Sequence, residues 1–216
     1  MQKTLISIIG STGIGKTKLA IEMAKHFGTE IISCDSRQFF KEMKIGTATP
    51  SDEELAQAKH HFIGHLSVQD YYSIGQYEED ALEKIEEIFE KNDFAVLVGG
   101  SMMYEKAVVE GLNDLPEANA ENQEKLQKIL DEEGLEKLQE ILKNLDEEYY
   151  NVVHKENPRR LLRAVDVIWQ TGRKYSEIIA EPKHKRDFKV IRIGITAPRE
   201  IMYERINLRV DKMLEN

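Results

Sequence analysis

Residues 10–17 read GSTGIGKT, which satisfies the spacing G-x-x-x-x-G-K-S/T. In such a loop the glycines, here Gly10, Gly13 and Gly15, let the backbone wrap an anion, with the amides around Ser11, Thr12 and Ile14 pointing inward. A helix beginning at the loop's end adds roughly half a positive charge at its N-terminus. Lys16 has the reach for a terminal phosphate, and the Thr17 hydroxyl can hold Mg²⁺. The loop therefore predicts phosphate or diphosphate binding. The later apolar run FAVLV, 94–98, ends in Gly99-Gly100, so the metal-binding acid usual in nucleotide hydrolases is absent there. The acid at a strand's C-terminal end is instead Asp35, followed by Ser36, Arg37 and Gln38. Ligands of open α/β sheets gather at the carboxyl ends of the strands, which puts Asp35 beside the phosphate loop.

These groups need a scaffold, and the hydrophobic pattern supplies one. Residues 4–9 (TLISII) are a short apolar, β-branched run that reads as a buried parallel strand. Residues 16–27 carry Leu19, Ala20, Met23, Ala24 and Phe27 at helical spacing, with Gly28 as a stop. Residues 30–35 (EIISCD) form a second strand candidate, with Cys34 as a small core residue within it. Ser51 has capping-box spacing to Glu54 and opens a short helix. A longer helix runs from 73 to 91, a third strand over 94–98 and another helix over 101–110. Strand–helix alternation then stops, because residues 113–153 carry only helical patterns. Asn157-Pro158 caps a helix to about Gln170, on which Trp169 reads as packing. Residues 189–196 return to strand, and Pro198 starts a last helix. The fold expected is α/β: a P-loop NTPase-like parallel sheet flanked by helices, with an all-helical insertion. The boundaries expected are 1–112 for the first part of the core, 113–155 for the insertion and 156–216 for the return to the core.

Composition sets the outer limits. The 216 residues include 30 Lys+Arg and 39 Asp+Glu, a formal charge of −9, with 41% apolar and 32% charged residues. This suits a globular chain and excludes a disordered or fibrous one. No uncharged apolar run approaches the roughly 20 residues of a membrane span, and no secretory leader pattern opens the chain. The single cysteine points to a reducing, cytoplasmic setting. Charge is unevenly distributed: residues 1–112 carry 11 basic against 18 acidic side chains, 113–150 carry 4 against 12, and 151–216 carry 15 against 9. A basic last third on an acidic chain can mark a surface for an anionic partner, or simply a solvated face. His60, His61 and His65 lack cysteine partners and a fixed ligand geometry, so they read as structural or surface histidines, not a metal site.

The motifs also carry a resemblance. GSTGIGKT (10–17), DSRQFF (35–40), KIGTATPS (44–51), HHFIGH (60–65), GGSMMY (99–104), NPRRLLRAVDV (157–167) and ERINLRVDKML (204–214) occur in order over nearly the whole chain. In this the sequence resembles the tRNA dimethylallyltransferases, also called tRNA isopentenyltransferases, of the bacterial type. The resemblance implies transfer of a dimethylallyl group from dimethylallyl diphosphate to N6 of the adenosine 3′-adjacent to the anticodon (tRNA position 37), with Mg²⁺ as cofactor. It implies a P-loop that binds diphosphate instead of a nucleoside triphosphate. The partners implied are the tRNA anticodon loop and dimethylallyl diphosphate, with no membrane and a monomeric chain. Members of the family continue beyond the point that matches Asn216 with further helices, so a C-terminally truncated form is expected.

The resemblance also assigns roles. Asp35 is implied as the base that takes a proton from the adenine amine, with Thr17 and Arg209 as the further catalytic groups. Arg205 lies one turn before Arg209 on the same face. Contacts to tRNA are implied at Asp35, Ser36, Arg37 and Gln38, at Ser101, and at Gln123, which stands where an arginine is common. Arg159, Arg160 and Arg163 share a helical face by spacing and are implied to meet RNA phosphates. Three other readings stand beside this one. They are an adenylate isopentenyltransferase acting on a free nucleotide, a P-loop small-molecule kinase, and a silent RNA- or nucleotide-binding protein.

Overall fold

A computed structural model describes residues 2–47 and 49–214. In chain order the elements are β1 (Thr4–Gly10), α1 (Lys16–Phe27), β2 (Ile31–Ser33), a 3₁₀ turn (Lys41–Met43), α2 (Lys44–Thr47), α3 (Asp52–Leu55), β3 (His60–His61), α4 (Ile74–Lys91), β4 (Phe94–Val98) and α5 (Met102–Glu110). After these come α6 (Ala120–Glu133), α7 (Leu135–Leu145), α8 (Glu147–Val152), α9 (Pro158–Thr171), α10 (Tyr175–Ile179), β5 (Lys189–Ile195) and α11 (Arg199–Leu214). The chain divides into two compact units, one made of residues 1–112 and 184–216, the other of residues 113–183.

The first unit is an α/β layer structure. Its five strands are all parallel, in the order β3-β2-β4-β1-β5. Side chains alternate across a strand, and the apolar runs serve both faces. Leu5, Ile32, Ala95 and Leu97 pack on one side with Tyr77, Ala81, Ile85 and Val108 of α4 and α5. Ile6, Ile8, Ile31, Val96 and Val98 pack on the other with Ala20, Ile21 and Ala24 of α1. This is why the strands read as unbroken apolar runs instead of an alternating pattern. A buried polar device ties the edge strand in. Arg192 on β5 donates from Nε to Oε1 of the buried Glu105 on α5 (2.9 Å), and Ser7 Oγ on β1 donates to the same oxygen (2.7 Å).

The second unit is all helical. Leu126, Leu138, Leu142, Leu161, Leu162, Val165 and Ile168 form its core. The boundary expected at 156 does not hold, because α9 contributes Leu161, Leu162, Ala164, Val165 and Ile168 to that core and the unit runs on to Lys183. The amphipathic pattern marks α9 as a helix with one buried face but cannot say which core buries it. Trp169, expected to pack, is 39% exposed. It sits on the outward side of a helix whose apolar stripe is already supplied by its neighbours. β2 is shorter than the 30–35 run suggested, so Cys34 and Asp35 follow the strand instead of ending it, although Cys34 is fully buried as expected. β3, absent from the sequence reading, pairs Ile31 with His60 and Ile32 with His61.

Two buried carboxylates hold the helical unit. Asp166 accepts from Asn122 Nδ2, Gln170 Nε2 and Arg163 Nη1 at 3.0, 3.0 and 3.3 Å. Asp146 caps α8 by accepting from Tyr149 N (3.0 Å), and it also accepts from Ser176 N and Oγ at 2.7 and 2.9 Å. Asp146→Ala strands these donors away from water. It should destabilise the fold by about 1–3 kcal/mol, measured by denaturant unfolding, whereas an exposed carboxylate such as Glu147 should change stability by less than about 0.5 kcal/mol when replaced.

Candidate active site

α1 lacks both a side-chain cap and a first-turn acid, whereas α5, α7 and α10, also without a side-chain cap, carry Glu105, Glu136 and Glu177 in their first turns. α3, α4, α6, α8 and α9 each start with a side chain that accepts from a first-turn amide, at Ser51, Ser73, Asn119, Asp146 and Asn157. α1 starts at Gly15, in a left-handed conformation (φ 101°), with no side-chain cap and no acid in its first turn. The open amides and the positive end of the helix dipole are thus left to an outside anion. In this structure Lys16 Nζ donates to Gly10 O (3.0 Å) and Ser11 O (2.9 Å), closing over the loop.

The loop forms one wall of a pocket of about 420 Å³. Thr12, Gly13, Ile14, Gly15, Lys16 and Thr17 line it, together with Asp35, Gln38 and Arg209. A larger cavity of about 1150 Å³ shares Gly13, Pro50, Glu54, Ile63 and Arg209 with it and adds Lys44, Ile45, Leu55, Arg205 and Leu208. Arg205 donates from Nη1 to Ile14 O (3.2 Å) and Arg209 from Nη2 to Thr47 O (2.7 Å), so α11 is pinned to the phosphate loop and to the end of α2.

Electrostatics give the pocket its character. Burial pushes the Lys16 ammonium below the ordinary lysine value; Asp35 opposes this shift and Arg209 adds to it. Burial lowers Arg209 as well, again opposed by Asp35. Lys16, Lys18, Arg209 and an uncapped helix end therefore share one pocket with two carboxylates, Asp35 and Glu54, an excess of positive charge that an incoming polyanion would relieve.

Asp35 is held from several directions. Its N donates to Ser33 Oγ (3.3 Å), its Oδ1 accepts from Arg37 N (3.2 Å), and its carbonyl accepts from Gln38 N (2.9 Å). Ser36 N donates to Ser101 Oγ (3.1 Å) and the two hydroxyls lie 2.9 Å apart, tying the 35–38 loop to the end of β4. Gln38 Nε2 donates to Thr47 O (3.3 Å), and Gln38 O accepts from Gly64 N (2.8 Å). Arg37 is exposed. Underneath, Phe39 stacks on Tyr77 (5.1 Å between centroids) and meets Tyr72, Tyr104 and His65 edge-on. The Ser36–Ser101 pair, the Arg205 brace and this aromatic bed depend on contacts distant in sequence, and no local signal marks them.

Thr12 to Thr17, Asp35, Gln38 and Arg209 thus meet in one pocket, Gly10 and Ser11 complete the loop without lining it, and Ser36 and Ser101 meet each other after β2 and β4. Gln123, Arg159, Arg160 and Arg163 lie in the helical unit. Arg159 and Arg160 are exposed at the start of α9, but Arg163 turns inward to Asp166 and to the Pro116 carbonyl. The helical spacing that grouped the three arginines did not show that a buried acid one turn on would claim the third.

The sequence profile of the IPP transferase family matches residues 38–216. The chain belongs to the IPP transferase family. Full-chain similarity adds the phosphate loop, which precedes the matched range. The tRNA dimethylallyltransferase of Christiangramia forsetii is 52% identical over 216 residues, covering all of this chain and 72% of that protein. The one from Flavobacterium psychrophilum is 49% identical, covering 97% of this chain and 70% of its own length. Among solved structures, a tRNA isopentenylpyrophosphate transferase from Bacillus halodurans is 32% identical with a TM-score of 0.64, covering 99% of this chain and 67% of that one. A eukaryotic dimethylallyltransferase described as acting on tRNA is 28% identical with a TM-score of 0.85, covering 99% and 53%. No helix among the described residues is long and apolar enough to cross a membrane.

One glycine sets the position of Asp35. A Cβ on Gly99 would lie 2.5 Å from Cys34 C, 2.6 Å from Cys34 Sγ and 2.7 Å from Asp35 N. Two of these atoms are backbone, so relief requires β2 and β4 to part at the site. Gly99→Ala is expected to destabilise by about 1–3 kcal/mol, seen as a lower unfolding midpoint, and to weaken binding of inorganic diphosphate. An unaltered midpoint together with unaltered affinity would show that the site tolerates a wider strand gap.

Proposed function

We propose that the chain transfers a dimethylallyl group from dimethylallyl diphosphate to N6 of the adenosine 3′-adjacent to the anticodon in tRNA. The observation that carries this reading is the convergence of Lys16, Thr17, Asp35 and Arg209 on one pocket beside an uncapped helix. The curated relatives named tRNA dimethylallyltransferase support it over a free-nucleotide acceptor or a kinase. The target base must leave its stack in the anticodon loop to be reached.

The step balances simply. The adenine amine nitrogen forms a bond to the allylic carbon as that carbon's bond to the diphosphate oxygen breaks, and the electron pair of the broken bond leaves with diphosphate. The nitrogen gives up one proton, which Asp35 accepts. The loop amides, Lys16 and Arg209 face the charge that develops on the leaving group. Their preorganisation is visible in how they are held. Lys16 and the loop sit on β1 and α1, and Arg209 sits on α11, which Arg205 fastens to Ile14 O. The exocyclic amine is a weak nucleophile, so placement and proton removal carry much of the burden.

Thr17 lines the pocket, and among the described residues no cluster of three or more His, Cys, Asp or Glu side chains offers a protein cage for a metal. That donor set fits Mg²⁺, which is commonly held by few protein oxygens together with substrate phosphates and water. Bound by Thr17 and the diphosphate, the ion would supply charge neutralisation of the leaving group. A monomer in a reducing cytoplasm completes the reading, in keeping with the single buried cysteine, Cys34.

The assay is direct. With labelled dimethylallyl diphosphate, Mg²⁺ and either bulk tRNA or AMP, label should enter tRNA; label in AMP instead would establish the free-nucleotide reading. Asp35→Asn should lower the transfer rate by ~10²–10⁴-fold with tRNA affinity nearly unchanged, and near-normal turnover would remove Asp35 from the mechanism. Affinity for tRNA should also fall as salt rises, and Arg159→Glu with Arg160→Glu should flatten the log–log slope by about one to two phosphate contacts. A slope that does not move assigns those two arginines to a solvated face. Arg163 is left intact in that test because its loss would remove the cationic partner of the buried Asp166.

A further inference from the structure

His60 stands out among the residues of the phosphate pocket that the proposed chemistry does not use. It lies on β3, opposite Ile31 of β2, and is one of the residues lining the pocket, with Thr17, Lys18 and Glu54. Its Nδ1 is 2.7 Å from the Ala58 carbonyl. A carbonyl only accepts, so Nδ1 carries the hydrogen, and in the neutral ring Nε2 is a bare acceptor. That Nε2 is shielded from water and has no hydrogen-bond partner among the described residues. Buried polar atoms are nearly always satisfied, and one that is not calls for an explanation. The adjacent His61 shows the contrast, because its Nε2 is paired with Glu30 at 2.6 Å.

We propose that His60 is a further anion-binding residue of this pocket, taking up a proton when diphosphate enters and donating from Nε2–H to a phosphate oxygen. This rests on the reading of the pocket as a diphosphate site. The ring is already anchored through Nδ1, which limits the entropy lost on forming the new bond, and because Nε2 is covered in the empty pocket a small side-chain shift accompanies diphosphate entry. The empty pocket favours the neutral ring: burial lowers the His60 value, His61 beside it acts in the same direction, and the Ala58 hydrogen bond and Glu54 of α3 oppose them. The other charges lining the pocket are Lys16 and Lys18 of α1, Arg209 of α11 and Asp35 after β2. An entering diphosphate adds negative charge beside the ring and so favours the imidazolium. The outcome is a pocket in which His60 adds affinity for diphosphate as pH falls, because the bound state holds one more proton than the empty one.

Calorimetry of inorganic diphosphate with Mg²⁺, on the full chain at pH 7 in two buffers of different ionisation heat, tests this. Proton uptake should be greater for the unsubstituted protein than for His60→Leu; protons exchanged by the ligand itself cancel in that difference. His60→Leu should bind about tenfold or more weakly, as expected for loss of a charged hydrogen bond. His60→Gln keeps an N–H donor and should recover part of the affinity but none of the proton uptake. Equal affinity and equal uptake in His60→Leu would overturn the proposal and leave the ring as a spacer between β3 and α1. If His60→Leu does not fold, ¹⁵N spectra of the histidine rings in the unsubstituted protein decide. Nε2 of His60 should move to the position of a protonated nitrogen on adding diphosphate, and an unmoved signal overturns the proposal. Failure of the unsubstituted protein to bind diphosphate would instead defeat the pocket reading itself, and Lys16→Ala serves as its reference for lost binding.

Discussion

The active-site half of the molecule depends on an unbalanced charge. Lys16, Lys18, Arg209 and the uncapped start of α1 share with two carboxylates, Asp35 and Glu54, a pocket partly removed from water. Such an arrangement is costly when empty, and burial lowers both cations accordingly. The two carboxylates moderate the repulsion but do not offset three cationic side chains and a helix N-terminus. A ligand carrying several negative charges completes the set. In this structure Lys16 donates to the Gly10 and Ser11 carbonyls.

Holding repelling groups together requires a rigid frame, and the parallel sheet supplies it. Both faces of β1 and β4 are buried under helices, so the strand ends that carry the phosphate loop and the 99–101 turn have little freedom. The tight meeting of Gly99 with Cys34 and Asp35 fixes the spacing of β2 and β4 where it matters for chemistry. Ser36 and Ser101 then lock the loop after Asp35 across that same gap. On the other side, Arg205 and Arg209 fasten α11 to the loop and to the end of α2, so the late arginine arrives on a braced element. The helical unit, by contrast, is organised by leucine packing and by the buried carboxylates Asp146 and Asp166, and its exposed arginines are confined to the start of α9.

Much of this was legible in the residues alone. The glycine spacing of 10–17, the lysine and threonine that close it, and the acid after the second apolar run identify a phosphate site with a base nearby, because these properties are local. Helix starts at Ser51, Ser73 and Asn157 and the stops at Gly28 and Gly172 are equally local, since caps and left-handed turns act over three or four residues. The parallel strands announced themselves by apolar runs too short for helices. The seven ordered motifs carried the family assignment that similarity to known proteins then supported.

Tertiary structure decided what depends on partners far along the chain. It gave α9 to the helical core, since an amphipathic stripe specifies that a face is buried but not what covers it. It turned Arg163 toward Asp166 and left Trp169 partly exposed, because spacing on a helix says which side chains are neighbours and not which of them find a buried acid. It made a strand of His60–His61, two residues too few to show a period, by pairing them with β2. It also placed His60 in the phosphate pocket with an unpaired nitrogen, a fact that exists only where three separate elements meet. The sequence determined which groups carry charge and which stretches bury themselves. Which charges face one another was settled by packing, because electrostatic interaction depends on distance in space and not on separation in the chain.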